Sequence, residues 1–137
     1  MKALTLTEPW ASLMMLGEKN VETRSWRTDY RGELAIHAAK NMPMAARGFC
    51  YHAQVKAAFE RHGFGPTFLL GHILCIRGLV AIMPTTHCSH LSEKERCFGD
   101  YGPRRWAWIF SPAIKIISPP VPVKGALSLW EWQGGAQ

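Results

Sequence analysis

A chain of 137 residues with 47% hydrophobic content has the length of one domain and enough apolar side chains to bury a core. Charged residues make up 19%, and the 12 glycines and 9 prolines lie scattered between apolar runs. That excludes an intrinsically disordered chain, and no apolar run reaches the about 18 residues of a membrane-spanning helix. Lys and Arg outnumber Asp and Glu by 16 to 10, a formal charge of +6, which favours anionic partners such as nucleotides or nucleic acid without requiring one.

Residues 3–7 alternate apolar and polar side chains and predict a short strand. Glu8-Pro9 then opens a helix over residues 10–16, and Gly17 stops it. The start of the chain lacks the basic stretch and apolar run of a secretory signal, so the cytoplasm is the expected compartment. Residues 21–26 are rich in β-formers, and a period of two would set Glu22, Arg24 and Trp26 on one face. Arg31-Gly32 marks a turn before a strand over residues 33–39, in which His37 sits between small apolar residues and is expected to be a satisfied inner histidine.

Residues 43–62 have helical spacing and predict the longest helix, ended by Gly63 and Gly65-Pro66. A buried strand follows over residues 71–83, with a bulge or bend at Arg77-Gly78. Residues 84–103 are polar and predict a loop with one helical turn at 92–96. Strands are predicted at 106–110 and 113–117, separated by Ser111-Pro112, with a last short segment at 127–132. Trp106, Trp108, Trp130 and Trp132 alternate along these segments and are expected in core or rim packing. The sum is an α+β domain spanning residues 1–137, a small mixed β-barrel of five to six strands flanked by two or three helices.

No phosphate-binding loop, dinucleotide fingerprint, zincin motif or nucleophile elbow occurs. The four cysteines form no paired zinc pattern, so His87-Cys88-Ser89-His90 with Cys97 reads as an adventitious cluster, and no metal or cofactor is implied. The segment Gly17-Glu18-Lys19-Asn20-Val21-Glu22-Thr23-Arg24 is more informative. On an exposed strand it would be an ion-paired surface. On a concave one, Lys19 would lose solvation and fall in pKa while Glu22, between two cations, orients or deprotonates a water.

Gly17-x-Lys19-x-x-Glu22-x-Arg24 resembles the signature of the ASCH family, the activating-signal-cointegrator homology domains, which share the PUA-like β-barrel of several RNA-modifying proteins. Pro9-Trp10-Ala11, Tyr30-Arg31-Gly32, Gly99-Asp100-Tyr101 with Arg105-Trp106-Ala107-Trp108, and Pro122-Val123-Lys124-Gly125 extend the likeness to stand-alone bacterial and phage members. One branch of that family removes the acyl group from N4-acetylcytidine and related N4-acylated pyrimidines, using a Lys, a Thr and a Glu. The resemblance maps the Lys onto Lys19, but the Thr position is Glu22 here, so an acyl-enzyme route does not carry over. Thr23 is adjacent and, on a strand, would face the other way.

What the resemblance then implies is direct hydrolysis, with Glu22 as general base on water and Lys19 binding the oxyanion or protonating the leaving amine. For the third carboxylate the sequence offers Glu93, Glu95 and Asp100, of which Asp100, beside Gly99 and Tyr101, is preferred, with a plain turn-forming Asp as the alternative. Trp10, Trp26 or Tyr101 would stack on the pyrimidine, and Arg24, Lys40 or Arg105 would hydrogen-bond its edge or a phosphate. The expected partner is a modified pyrimidine nucleoside. The competing readings are an RNA-binding module with divalent-metal-dependent ribonuclease activity, and a non-enzymatic adaptor for a base-like ligand.

Overall fold

The first strand, β1 (Lys2–Leu6), buries Leu4 and Leu6 and turns Thr5 away from them, as its alternation requires. Helix α1 (Trp10–Met15) follows at Pro9. Its Ala11 and Met14 face the sheet core, while Leu13 joins a second apolar cluster with Val55, Ala58, Phe59 and Phe98. Gly17 ends α1 at φ 76°, where a Cβ would stand 3.0 Å from Ile114 Cδ1, so both backbone and space call for glycine there. The amides of Glu18 and Lys19 turn back to Leu13 O and deliver the chain into β2 (Val21–Arg24).

This computed structural model describes residues 1–65 and 67–136, so Pro66, expected to help end the long helix, lies outside the described residues. The remaining strands are β3 (Gly32–Ala38), β4 (His72–Pro84), β5 (Trp106–Pro122) and β6 (Trp130–Glu131). They form one mixed sheet in the order β2-β5-β4-β3-β1-β6, with β1 and β3 parallel and every other neighbouring pair antiparallel. The fold is the expected α+β class with six strands. The hydrogen-bonded order leaves β2 and β6 as edges, and a side chain spans the gap from β2 to β1: Arg24 Nη2 donates to Thr5 O at 2.7 Å.

Two expectations are corrected. The segments at 106–110 and 113–117 are one strand, because a bulge takes up the proline that reads as a break. Between the pairs Arg77–Ile114 and Leu79–Phe110, Gly78 alone faces Ser111, Pro112 and Ala113, so Pro112 needs no ladder hydrogen bond. Pro119 and Pro120 sit in a second bulge opposite Leu74. The long helix is instead two, α2 (Met44–Phe49) and α3 (Ala53–Arg61). Extended backbone at His52 breaks it, and the His52 ring accepts from Gln54 N to cap α3. With α4 (Glu93–Cys97), capped by Ser92, the α-helices number four among the described residues, one more than the two or three expected.

His37 is a satisfied inner histidine: Nε2 donates to Val123 O at 2.8 Å and Nδ1 meets Thr5 Oγ1 at 3.0 Å, the tautomer following from the carbonyl being acceptor only. Glu8 is fully buried. Its two oxygens accept from Ser12 N at 2.7 Å and Ser12 Oγ at 2.6 Å, yet burial outweighs these bonds and raises its pKa above 4.5. The folded state therefore binds more protons than the unfolded one just above that value, and this group's contribution to stability falls as pH rises through the window. Glu8→Gln keeps the shape and the Ser12 contacts without the charge. Its Tm relative to wild type is expected to climb as pH is raised from about 4.5 to neutrality; a Tm difference independent of pH would refute the buried carboxylate as its cause.

Candidate functional site

The turn after α1 and the edge strand β2 bring an ammonium, a carboxylate and a guanidinium into one row. Lys19 is 0% exposed, and its Nζ donates to Val21 O at 2.6 Å and Phe98 O at 3.0 Å while pairing with Glu22 Oε1 at 3.3 Å. Three partners match its three N–H groups, which is how a buried ammonium is tolerated. Glu22 Oε2 accepts from Arg24 Nε at 3.0 Å. Each carboxylate oxygen is thus fixed by a different cation, and Arg24 is fixed in turn by Thr5 O.

Glu22 opens onto a cavity of about 520 Å³. One wall is aromatic: Trp10 from α1 and Phe49 from α2 stack with centroids 5.2 Å apart and planes 17° apart. Polar lining comes from Thr5, Thr7, Thr23, Arg24, Asp100 and Arg105, with Cys97, Phe98 and Gly99 completing it. Burial, then Glu95 and Glu93, push the Cys97 thiol up, so it is held as the thiol.

The cavity lining brings together Trp10, Glu22, Arg24, Asp100 and Arg105 of the predicted residues. Lys19 stands directly behind Glu22 and Phe98 and is outside the lining. Asp100 lies at the rim with its carboxylate 68% exposed; Oδ1 accepts from Gly102 N in a turn, and Arg105 Nε donates to its carbonyl at 3.0 Å. Thr23 reaches the cavity too, because residues 99–100 cross β2 there and Asp100 N donates to Thr23 Oγ1 at 3.0 Å.

Trp26, Lys40 and Tyr101 fall outside the lining. Strand β2 ends at Arg24, so the expected alternation stops short of Trp26, whose ring packs edge-on against Trp108 at 4.8 Å. Lys40 is exposed beyond β3. Tyr101 turns under Arg96, 5.1 Å from its guanidinium. Its hydroxyl is buried with no partner among the described residues, and burial pushes its pKa up.

The other two candidate carboxylates differ sharply. Glu93 is exposed at the start of α4, whereas Glu95 is buried, Oε1 accepting from Asn20 N at 2.8 Å and Oε2 without a partner among the described residues. Burial raises the Glu95 pKa against the opposing pull of the Asn20 amide and Lys19. Nearby, Glu18 gathers Arg61 at 2.6 Å, His62 at 2.8 Å and Lys94 at 3.0 Å. Arg61 above all, with His62 and Lys94, holds its carboxyl at about 2, so this clamp ties the end of α3 and the start of α4 to the turn that carries Lys19. Among the described residues no three His, Cys, Asp or Glu side chains converge on a metal position.

Sequence reasoning missed Phe49, Cys97, Phe98, Thr5 and Thr7 as cavity residues. The two threonines were accessible in principle, since β1 alternation opposes Thr5 to Leu4 and Leu6. Phe49 and Phe98 reach the cavity through tertiary packing that no local spacing encodes.

The ASCH domain family model matches residues 4–120. Among curated proteins, activating signal cointegrator 1 of Homo sapiens and that of Mus musculus are each 50% identical over 40 residues, 29% of this chain and only 7% of the length of those relatives. Among solved structures, ASCH from Zymomonas mobilis superposes with a TM-score of 0.57, covering 98% of this chain and 90% of that one at 14% identity. A mutant of that protein gives the same TM-score and covers 92% of its chain.

Proposed function

The chain belongs to the ASCH domain family, and from that premise we propose that its cavity is the active site of an amidohydrolase removing the acyl group from N4-acetylcytidine or a related N4-acylated cytosine nucleoside or base. The observation that carries this reading is Glu22, presented to the cavity with Lys19 on one oxygen and Arg24 on the other, beside an aromatic wall. A planar ring stacked on that wall would lay its N4-acyl carbonyl near the carboxylate.

In the proposed reaction Glu22 takes a proton from water, and the hydroxide adds to the acyl carbon to give a tetrahedral oxyanion. Protonating Glu22 weakens its hold on Lys19, whose ammonium, fully buried behind Glu22 and outside the cavity lining, balances the developing negative charge from there. Collapse breaks the carbon–N4 bond while Glu22 gives its proton to N4, which releases cytidine and the carboxylic acid and restores the Glu22 carboxylate. Arg24 orients Glu22, and Arg105 with Asp100 forms the rim that meets the ligand edge.

Charge balance favours a neutral ligand over a polyanion. The lining holds two cations, Arg24 and Arg105, and each is paired with a lining carboxylate, Glu22 or Asp100. The RNA reading draws its support from the +6 charge and from the exposed Arg27, whose guanidinium lies 4.7 Å over the Trp106 ring next to Arg105.

Ultraviolet-monitored hydrolysis of N4-acetylcytidine in the presence of a chelator separates the two. Turnover by wild type that is lost in Lys19→Ala and Glu22→Ala supports the amidohydrolase. Absence of turnover, with salt-dependent binding to single-stranded RNA, overturns it in favour of RNA binding.

A further inference from the structure

We propose that Phe49 is an exchangeable lid over Trp10: in the free protein its ring occupies the Trp10 face on which a planar heteroaromatic ligand stacks, and the ligand takes that place as α2 moves outward. The inference rests on the reading of the cavity as a pyrimidine site and adds the residue that decides which ligands stay.

The two rings are already in a stacking geometry, 5.2 Å between centroids and 17° between planes, inside the cavity. A third ring does not fit between them, because it would need about twice the separation of a single aromatic contact. The Trp10 face turned to Phe49 is therefore filled by the protein's own phenyl ring in the orientation a nucleobase would adopt.

Helix α2 is held loosely enough to release it. Of its six residues Ala46 is buried, Met44 is 87% exposed, and Pro43 at the N-cap has no side-chain oxygen to bond the free amides. Phe49 is its last residue. A second cavity of about 500 Å³ borders α2, its lining including Arg47 of that helix, Cys50 at its C-cap, and Phe59 and Phe64. Helix α2 therefore borders open volume as well as packed core, which leaves room for it to shift.

Exchanging one stack for another leaves the aromatic contribution nearly unchanged, so net affinity comes from the polar edge of the ligand against Glu22, Arg24 and Arg105. A saturated, non-planar ring cannot replace the Phe49 stack and is rejected on that ground.

The test is equilibrium binding of cytidine and of the saturated analogue dihydrouridine to wild type, Phe49→Ala and Phe49→Leu, read from Trp10 fluorescence with Trp10→Phe as the blank. Removing the competing ring is expected to tighten cytidine binding about two- to tenfold in Phe49→Ala. Phe49→Leu, which keeps apolar bulk at the end of α2, should shift in the same direction by less, and dihydrouridine, relieved of the same displacement, should gain by a similar factor while remaining the weaker ligand in every variant. Weaker or unchanged cytidine binding in both variants makes Phe49 a fixed wall and overturns the lid. Tightened binding without hydrolysis of N4-acetylcytidine removes the amidohydrolase and leaves the lid standing, whereas hydrolysis with unaltered cytidine affinity does the reverse. Failure of all three proteins to bind cytidine overturns the lid together with the pyrimidine site.

Discussion

Glu22→Gln is expected to lower kcat/KM for N4-acetylcytidine by about 10²- to 10⁴-fold, the usual worth of a positioned general base. Glutamine fills the same space and can still accept one hydrogen bond from Arg24 Nε or Lys19 Nζ, but it takes no proton from water. The substitution also removes the counter-charge 3.3 Å from a fully buried ammonium, so a stability loss of about 1 to 3 kcal/mol should accompany it. The two effects separate experimentally: urea unfolding gives the stability loss, and rates measured well below the lowered midpoint report the chemistry alone. Glu22→Asp retains the charge and shortens the reach, so it should recover most of the stability and little of the rate. Full activity in folded Glu22→Gln would remove Glu22 as the base.

The spacing that makes this prediction possible was legible because it is local. Glu22 and Arg24 share a face by strand alternation, and Lys19 sits in the turn that Gly17 opens. The irregularity at Arg77-Gly78 was legible for the same reason, since glycine in an apolar strand marks one, although the extra residues lie on β5. What failed was whatever depended on a partner strand or on a distant loop. Pro112 reads as the end of a strand until Gly78 opposite it absorbs three residues. The helix at 43–62 breaks at His52 with no glycine or proline there to announce it. Trp26 missed the cavity because β2 ends two residues too early, and Phe49 entered it because α2 folds over α1. Asp100 and Tyr101, neighbours in sequence, illustrate the limit: one lines the rim and the other turns under Arg96, a choice made by the loop crossing β2.

Arg77→Met is expected to cost about 3 to 5 kcal/mol of folding stability, since each buried acceptor left without a donor costs about 1 to 3 kcal/mol and part of that loss is recovered by relaxation. Arg77 is 1% exposed, and burial pulls its pKa down. Its guanidinium holds four acceptors: Nη1 donates to Met14 O at 3.0 Å and Lys19 O at 2.8 Å, and Nη2 to Asn20 Oδ1 at 2.6 Å and Ser111 O at 2.8 Å. Those acceptors belong to the end of α1, the turn before β2, and the bulge of β5. One planar fork therefore joins three elements, and methionine would leave all four acceptors to find other donors in a closed core. Lysine is a poor substitute, because a single ammonium cannot span the same width. Arg77→Lys should recover less than half of the loss. Since a domain of this size is stable by about 5 to 15 kcal/mol, Arg77→Met should shift the urea midpoint by about a fifth or more of its value; a loss under about 1 kcal/mol would mean the acceptors rehydrate and the fork is dispensable. The same bond to Lys19 O predicts a functional echo. In Arg77→Lys, assayed while folded, the turn that aims Lys19 at Glu22 is less firmly held, so kcat should fall while KM for N4-acetylcytidine, set by the Trp10 wall and the rim, stays near the wild-type value.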